Sequence, residues 1–265
     1  LLEELISGGE IKVTQIFSSH LMLHFNMEYY FTPDNLINKN SDLLEISGEE
    51  FRHIKKSLRK TKGDILEVTN GNYELYKCVI DEIKSDRLIC KILQKMNCDT
   101  EPDVKVNLHL CLLRNMQRFE FAIEKCVELG VFSITPVISQ RTLSQNEPGK
   151  SKSERIKMII KSAMCQSQRC YMPELKNTIK LKEIPEPKSD LMTNIVMYEL
   201  EDCTKKFPEN KLKEVNLLIG PEGGFTEEEI SYLKNKRWLS ASLGVRKFRA
   251  ETAAIISTYK LINQL

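Results

Sequence analysis

The chain has 265 residues, of which 41% are hydrophobic and 29% charged, so it can form two packed domains of modest size. A formal net charge of +2 excludes a strongly basic global field, so any affinity for nucleic acid must come from local patches. No apolar run approaches the roughly 20 residues of a membrane span, and the eight cysteines form no C-x-x-C pair and no cluster with the four histidines. These features predict a reducing, cytoplasmic setting without membrane contact, structural disulfides, zinc or any other metal.

Residues 1–26 carry no recognisable targeting signal, because they lack the charged-then-apolar layout of a signal peptide. The apolar part of this segment, residues 16–25, is too short and too polar to cross a membrane. We therefore expect residues 1–26 to be an upstream extension or an artificial segment, and we leave them out of the predicted fold.

Residues 27–96 show short strands joined by tight turns, which is typical of a small β-barrel. Ser47 and Glu50 have the spacing of a capping box ahead of a short helix. Asn70-Gly71 is a strong hairpin signal between two of the predicted strands. A linker is predicted at residues 97–103, which separates this first domain from the rest of the chain.

Basic side chains gather within this first domain with no acidic residue among them. This basic segment consists of Arg52, His53, Lys55, Lys56, Arg59, Lys60 and Lys62. A solvated helix face followed by a turn would have the same pattern. Contacts of this type to phosphate groups position an RNA and carry little sequence information. We predict that the basic segment binds RNA.

After the linker, strands alternate with helices over residues 103–265, which indicates an α/β domain with a mainly parallel sheet. Apolar strands are predicted at 106–113, 131–138, 195–198, 215–219 and 238–243. Helix starts are predicted at Asn115 and, from a Ser151–Glu154 capping box, near residue 151. The last helix is predicted over 250–261, and Pro136 is expected to take its strand out of the sheet early.

Two glycine-rich loops follow neighbouring strands near the end of the chain. The first contains Leu218, Ile219, Gly220, Pro221, Glu222, Gly223 and Gly224, ahead of a Thr226–Glu229 capping box. The second contains Ser242, Leu243, Gly244, Arg246, Lys247, Phe248 and Arg249. Neither loop fits the common phosphate-binding motifs, and each alone could be an ordinary turn rich in glycine. Loops that follow parallel strands lie at one edge of a sheet, where open α/β folds bind ligands.

Two further features stand at the ends of predicted elements. Arg169 closes the run Gln166-Ser167-Gln168-Arg169, where a helix gives way to a loop, and an arginine there could simply favour a helix C-terminus. Met197, Tyr198 and Glu199 follow a strand and could form an ordinary strand end.

Taken together, these motifs resemble those of the SPOUT methyltransferases, and in particular the RsmE family, which methylates N3 of a uridine in small-subunit (16S) ribosomal RNA. The two glycine-rich loops resemble the late motifs of that family, and Gln166-Ser167-Gln168-Arg169 matches its Q-S-x-R. Further matching positions are Glu128-Leu129-Gly130, Arg141-Thr142, His53, Leu58-Arg59, Gly63-Asp64 and Gly71. The resemblance covers nearly all of the chain from Met27 onward.

The resemblance implies a PUA-like RNA-binding β-barrel followed by a SPOUT-type α/β domain whose C-terminal part forms a trefoil knot. It implies S-adenosylmethionine as cofactor, held by three loops. Its expected contacts are Met197, Tyr198, Glu199, Leu218, Ile219, Gly220, Pro221, Gly223, Gly224, Ser242, Leu243, Gly244, Arg246, Phe248 and Arg249. It also implies a homodimer formed through the C-terminal domain, ribosomal RNA or the small ribosomal subunit as partner, and an RNA contact from Arg141.

The chemistry of uridine N3 suggests which residues could be catalytic. This atom lies on the Watson–Crick edge and carries a proton, so the base must be unpaired and deprotonated. Arg169 and Arg249 are the predicted stabilisers of the resulting anion, and Glu251 is a possible base that could equally cap the last helix. Lys247 departs from the family, which usually has an aliphatic residue there. An inactive RNA-binding relative, or a SPOUT enzyme acting on another base or a ribose 2′-hydroxyl, are the alternatives.

Overall fold

The computed structural model of the protein describes residues 28–143, 148–184, 186–187, 192–201 and 212–264. The expectation for residues 1–26 lies outside these ranges. No helix within them is long and apolar enough to span a membrane.

The first half of the molecule is a six-stranded sheet with strand order β1-β4-β5-β6-β3-β2. Neighbouring strands are antiparallel except β1 and β4, which are parallel. The elements are β1 (Tyr30–Phe31), β2 (Ile37–Asn38), β3 (Leu43–Ser47), α1 (Gly48–Arg52), β4 (Ile65–Thr69), β5 (Leu75–Ile83) and β6 (Arg87–Met96). One turn of π-helix, His53–Ser57, extends α1.

Local signals in this half are only partly borne out. The chain does turn between β4 and β5 at Asn70-Gly71, and Gly71 has the positive φ of 71° that favours glycine. The predicted capping box at Ser47 is wrong, because the Ser47 side chain makes no capping hydrogen bond. Glu50 instead accepts a hydrogen bond from the backbone N–H of Phe31, at 3.1 Å. A contact across 19 residues thus takes the carboxylate that the local motif would have used.

The second half is a seven-stranded sheet in which every strand pair is parallel. Its order is β10-β8-β7-β12-β11-β13, and β9 also pairs with β8. The strands are β7 (Lys105–Cys111), β8 (Ser133–Ile138), β9 (Glu174–Leu175), β10 (Ile179–Lys180), β11 (Met192–Met197), β12 (Glu214–Ile219) and β13 (Leu239–Ala241). The helices are α2 (Met116–Leu129), α3 (Lys150–Gln166), α4 (Glu227–Asn235) and α5 (Ala250–Asn263).

Buried side chains on these strands point to both faces of the sheet, because both faces of a parallel sheet are covered. Leu108, Leu217 and Ile195 on adjacent strands belong to the main core, which also takes the inward faces of α2, α3 and α5. A second cluster around Trp238 and Leu218 covers the opposite face. The sequence predicts a cofactor at one edge of the sheet, and this is the carboxyl edge of a sheet that is packed on both sides.

Several predictions for this half can be judged directly. Asn115 caps α2 by accepting a hydrogen bond from the N–H of Gln117 at 2.9 Å, and Gly130 ends the helix in the left-handed region. The Ser151–Glu154 capping box is wrong, because α3 begins at Lys150 after Gly149 and has no side-chain cap. The expectation for Pro136 is also wrong, since β8 stays paired with β7 through Val137.

The junction between the two halves holds a disulfide, so the prediction of a chain without structural disulfides is wrong. Cys98 in the linker is bonded to Cys170 after α3, with their Cα atoms 6.2 Å apart. The two residues are 72 positions apart, and only the packing of the halves brings them together, so cysteine spacing carried no signal of the bond. Next to it, Gly71 lies so close to Met172 that a Cβ atom at residue 71 would be 3.1 Å from the Met172 Cβ.

The rest of the fold leaves one prediction open. The trefoil knot implied for the C-terminal part of the α/β domain stays a prediction.

Candidate active site

Three loops meet at the carboxyl edge of the parallel sheet. They follow β11, β12 and β13, which are adjacent strands in the order β12-β11-β13. The backbone N–H of Tyr198 donates to the carbonyl of Ala241 at 3.0 Å, which continues the pairing of β11 with β13. Parallel strands in this order carry all three loops to the same side of the sheet, as the sequence predicted.

Two glycines in these loops occupy positions that other residues would disturb. A Cβ atom at Gly220 would lie 2.9 Å from the Phe225 ring, closer than real Cβ contacts come. Gly244 has open space around it but a φ of 105°, which side chains other than hydrogen rarely tolerate. The backbone therefore forms part of the surface that a ligand would meet.

The loops enclose a pocket of about 380 Å³. Most of the predicted cofactor contacts line it, namely Met197, Tyr198, Glu199, Ile219, Gly220, Pro221, Gly224, Ser242, Leu243, Gly244, Arg246, Phe248 and Arg249. Leu218 does not, because its side chain is buried on the opposite face of the sheet beside Trp238. Gly223 also lies outside the lining, and a Cβ atom there would be 3.2 Å from the Cβ of Arg141.

Side chains tie the glycine loop after β12 to its surroundings. Glu222 accepts a hydrogen bond from the backbone N–H of Arg114 at 3.0 Å, which ties this loop to the segment between β7 and α2. Arg141 donates to the carbonyl of Gly223 at 2.9 Å. Arg141, which the resemblance implies contacts RNA, thus lies beside the pocket and far along the chain from the basic segment. The Thr226–Glu229 capping box is confirmed, with both reciprocal hydrogen bonds formed.

Lys247 forms an ion pair that an aliphatic residue could not form. Its Nζ lies 2.9 Å from Glu199 Oε2 and 3.0 Å from Oε1, and both residues line the pocket. The departure from the usual family pattern therefore joins the loop after β11 to the loop after β13 through an ion pair.

Among the charged residues that line the pocket, three stand at helix starts, namely Arg118, Arg249 and Glu251. Arg249 immediately precedes α5, and Glu251 lies in the first turn of that helix. Arg118, in the first turn of α2, was not singled out by the sequence analysis. Its Nε is 3.7 Å from Glu251 Oε1. Nothing local marks Arg118, because it joins the site only through the packing of α2 against α5.

Arg169 lies away from this pocket and is bound elsewhere. Its guanidinium donates to Glu101 Oε2 at 2.7 Å and to the carbonyl of Val127 at 2.8 Å, and its side chain is 3% exposed. The other oxygen of Glu101 accepts the N–H groups of Cys170 and Tyr171. This placement favours a structural role at the junction of the two halves over the predicted catalytic one.

The basic segment lies on α1, its π-turn and the loop that follows. Phe51 and Ile54 are buried beneath it, whereas Lys55, Lys56 and Arg59 are exposed. Some members have partners: His53 Nε2 is 3.0 Å from Glu28 Oε1, and Lys62 is 3.3 Å from Asp81. Lys60 is partly buried and Arg52 is exposed. The segment is a solvated cationic face with apolar anchors underneath.

The pocket suits an organic cofactor better than a metal. Across the described ranges, no group of three or more His, Cys, Asp or Glu side chains is placed to hold a metal ion. The pocket instead offers backbone at Gly220 and Gly244, the apolar ring of Phe225 and the charged groups of Arg118, Arg249 and Glu251. These are groups that can enclose a nucleoside and arrange charge around a reacting atom.

Comparison with known proteins agrees with this architecture. Residues 100–261 match the family model of an RNA methyltransferase domain, and residues 46–93 match that of an RNA methyltransferase PUA domain. The ribosomal RNA small subunit methyltransferase E of Mesomycoplasma hyopneumoniae (strain 232) is 30% identical over 226 residues, which cover 84% of this chain and 96% of that protein. The protein of the same name from Bacillus subtilis (strain 168) is 28% identical, covering 79% and 86%.

Solved structures share the fold over nearly the whole chain. A methyltransferase from Legionella pneumophila, solved with bound S-adenosylmethionine, has a TM-score of 0.79 and 29% identity and covers 89% of this chain and 97% of its own. The Neisseria gonorrhoeae ribosomal RNA small subunit methyltransferase E has a TM-score of 0.80 at 24% identity, covering 90% and 98%, and shows the fold alone. The PUA domain and the α/β RNA methyltransferase domain with a parallel sheet are thereby confirmed. The chain belongs to the ribosomal RNA small subunit methyltransferase E family of RNA methyltransferases.

Proposed function

We propose that the protein methylates N3 of a uridine in small-subunit (16S) ribosomal RNA, with S-adenosylmethionine as the methyl donor. The observation that carries this proposal is the convergence of three strand-end loops with Arg118, Arg249 and the buried Glu251 on a single pocket. The relatives named ribosomal RNA small subunit methyltransferase E, and the Legionella pneumophila neighbour with its bound cofactor, support it.

The residues of the pocket fit this cofactor. The Phe225 ring closes the space above Gly220, and a side chain at either Gly220 or Gly244 would disturb the loop backbone. Met197, Tyr198 and Leu243 would hold the nucleoside part from the two neighbouring loops. When bound, S-adenosylmethionine supplies a methyl group already activated on a sulfonium, so the protein has to align the base and manage its charge.

The charged groups of the pocket match what methylation of uridine N3 requires. Its N3–H must be deprotonated, and the negative charge that results spreads onto the two carbonyl oxygens. Both Arg249 and Glu251 line the pocket, and in this proposal Arg249 stabilises the charge and Glu251 takes the proton. A uridine paired in a helix could not present N3, so the target must be unpaired or flipped out.

RNA would be held by the first half of the molecule. The exposed lysines and arginines of the basic segment form a face that can contact phosphate groups, and Arg141 would extend the contact beside the pocket. A cytoplasmic setting follows from a ribosomal substrate and is part of this proposal.

A homodimer formed through the α/β domain completes the proposal. Helix α5 leaves Ile255, Ile256 and Tyr259 partly or largely exposed, and such side chains suit a contact with a second copy. Light scattering at micromolar concentration tests the dimer, and a fully active monomer would refute it.

The proposed reaction is tested with label transfer. The protein is incubated with methyl-labelled S-adenosylmethionine and either small ribosomal subunits that lack the modification, naked 16S rRNA or large subunits. We expect label only in small-subunit RNA, at a single uridine. Label on ribose or on another base would favour the alternative SPOUT activities, and binding of RNA without any transfer would favour the inactive relative.

A further inference from the structure

The first turns of two packed helices bring Arg118 and Glu251 together in the pocket. Asn115 fixes the start of α2 through its cap, and Arg249 ends the loop that leads into α5. Arg118 and Glu251 then face each other at 3.7 Å, with Arg249 on the same pocket wall. The two helix starts therefore contribute the Glu251 carboxylate and two guanidinium groups to the pocket.

Glu251 is an unusual carboxylate for its degree of burial. Its side chain is 11% exposed, and Arg118 is its one ion-pair partner among the described residues. The separation of 3.7 Å is too long for a hydrogen bond, so the lone pairs of Glu251 remain available to a donor from outside the chain. No described residue donates a hydrogen bond to this carboxylate, so its oxygens can accept a donor from a ligand in the pocket.

The Watson–Crick edge of uracil has a fixed order of groups. O2 and O4 accept hydrogen bonds, and N3–H between them donates one. A complementary site must therefore offer a donor, an acceptor and a second donor. Cytosine, with an acceptor at N3 and an amino group at C4, would place a donor against one guanidinium and a lone pair against the carboxylate.

We propose that Arg118, Glu251 and Arg249 read the uracil edge, with Arg118 as a catalytic residue that donates to one of the two carbonyl oxygens. The inference rests on the proposed function and adds to it a residue and a basis for base selection. Arg118 leaves Glu251 free to accept from N3–H and uses its terminal N–H groups on the carbonyl. Arg249 donates to the other carbonyl oxygen.

The proton step balances within these residues and the base. The N3–H bond breaks, its electron pair stays on the ring and spreads onto O2 and O4, and the proton forms an O–H bond on Glu251. Both guanidinium groups then face an oxygen whose negative charge has grown, so they act mostly in the transition state. The proton leaves Glu251 for water after the modified base has departed.

The test compares Arg118→Gln with Arg118→Lys and with a matched control. Arg155 forms an ion pair through Nε with Glu120, whose side chain is also 11% exposed, at the shorter distance of 2.7 Å and outside the pocket. For each variant, kcat and KM are measured on small ribosomal subunits that lack the modification, and the affinity for S-adenosylhomocysteine is measured by calorimetry. Thermal melting shows that each variant is folded.

We expect Arg118→Gln to lower kcat on the order of 100-fold, as removal of one preorganised donor does, while KM and the cofactor affinity change by less than about threefold. The rate of Arg118→Gln should also rise more steeply with pH than that of the wild type, because the base must ionise with less help. Arg118→Lys should recover part of kcat, and Arg155→Gln should match the wild type.

Two results would overturn the inference while leaving the proposed function intact. Arg118→Gln with wild-type kcat would show that Arg118 does not contact the base. A loss of S-adenosylhomocysteine affinity at unchanged kcat would show that it binds the cofactor instead. A wild-type protein that methylates no uridine would instead refute the proposed function itself.

Discussion

A single carboxylate, Glu101, holds the linker against both the α/β domain and the loop after α3. It binds the guanidinium of Arg169 with one oxygen and two backbone N–H groups with the other. Arg169 in turn caps the carbonyl of Val127 near the end of α2. With side chains 3% and 11% exposed, this pair belongs to the interior of the junction.

Loss of Arg169 should therefore act on stability. We expect Arg169→Met to lower the free energy of unfolding by about 3–5 kcal/mol, because both members of this pair are buried and the Glu101 carboxylate loses its cation. Arg155→Met, which removes an arginine whose side chain is 67% exposed, should cost at most about 1 kcal/mol. Urea unfolding measures both. A stable Arg169→Met protein with kcat reduced 100-fold would restore the catalytic role predicted from the sequence.

The pocket glycines give a second prediction at the scale of the residue. Gly220→Ala would press a methyl group against the Phe225 ring at 2.9 Å, and Gly244→Ala would force alanine into a left-handed φ of 105°. We expect each to weaken S-adenosylmethionine binding at least 10-fold by calorimetry. Gly149→Ala is the control, because it has open space and an ordinary φ of −61°. Equal affinity in all three variants would remove these loops from the cofactor site.

Glu74 gives a prediction about pH. Hydrogen bonds from Lys95, Lys39 and the Tyr76 hydroxyl lower its pKa from 4.5 to about 2. A carboxyl with a lowered pKa stabilises the fold above its unfolded pKa, and this contribution is lost as the pH falls from about 4.5 towards 2. Because both lysine side chains are largely exposed, solvent screening limits the effect to roughly 1–2 kcal/mol.

The comparison of Glu74→Gln with the wild type at two pH values checks this. Urea unfolding should show a destabilisation at pH 7 that has nearly vanished at pH 2.5. Glu82→Gln, at a carboxylate that is 60% exposed, should change neither value. A Glu74→Gln deficit that persists at low pH would mean that packing, and not charge, explains it.

At the scale of the element, the basic segment depends on the short helix that presents it. Phe51 and Ile54 bury their side chains in the first core and so turn the charged residues of α1 and its π-turn outward. Lys55 also lies over the Phe51 ring, with its Nζ 5.2 Å from the ring centroid. The cationic face is thus held in place by an apolar anchor on the same helix.

Removal of that face should affect RNA affinity. We expect the triple change Lys55→Ala, Lys56→Ala and Arg59→Ala to weaken RNA binding and to reduce the slope of log K against log salt by roughly 2, if three phosphate contacts are lost. The control removes the same charge from exposed lysines at the start of α3, namely Lys150, Lys152 and Lys157. Binding titrations at several salt concentrations distinguish the two, and equal slopes would contradict an RNA contact by the basic segment.

The same scale shows what the sequence could and could not predict. Caps that use near neighbours, at Asn115 and Thr226–Glu229, follow from spacing because both partners lie within one turn. The Ser47 cap failed because Glu50 binds Phe31, which is distant in the chain. Arg118 was missed and Arg169 misplaced for a related reason. Packing between elements decides where each of these two arginines lies, and local sequence patterns carry no information about that packing.

At the scale of the whole molecule, two sheets meet across a junction closed by side chains, backbone and the Cys98–Cys170 disulfide. Backbone hydrogen bonds from Tyr73 to Cys170 and from Met172 to Gly71 join the hairpin of the first half to the loop after α3. Stacked rings of Tyr73, Tyr171 and Phe132 add to this contact. The basic segment and the pocket are therefore carried on domains in direct contact.

We propose that the protein places one methyl group on N3 of a uridine in small-subunit rRNA. The most direct test is mass spectrometry of 16S rRNA nucleosides from a strain that lacks the family enzyme, with and without this chain expressed from a plasmid. We expect N3-methyluridine to be absent from the strain and restored by the wild-type chain, but not by Arg249→Ala. Restoration of no methylated nucleoside, or of one methylated on ribose or on another base, would contradict the account.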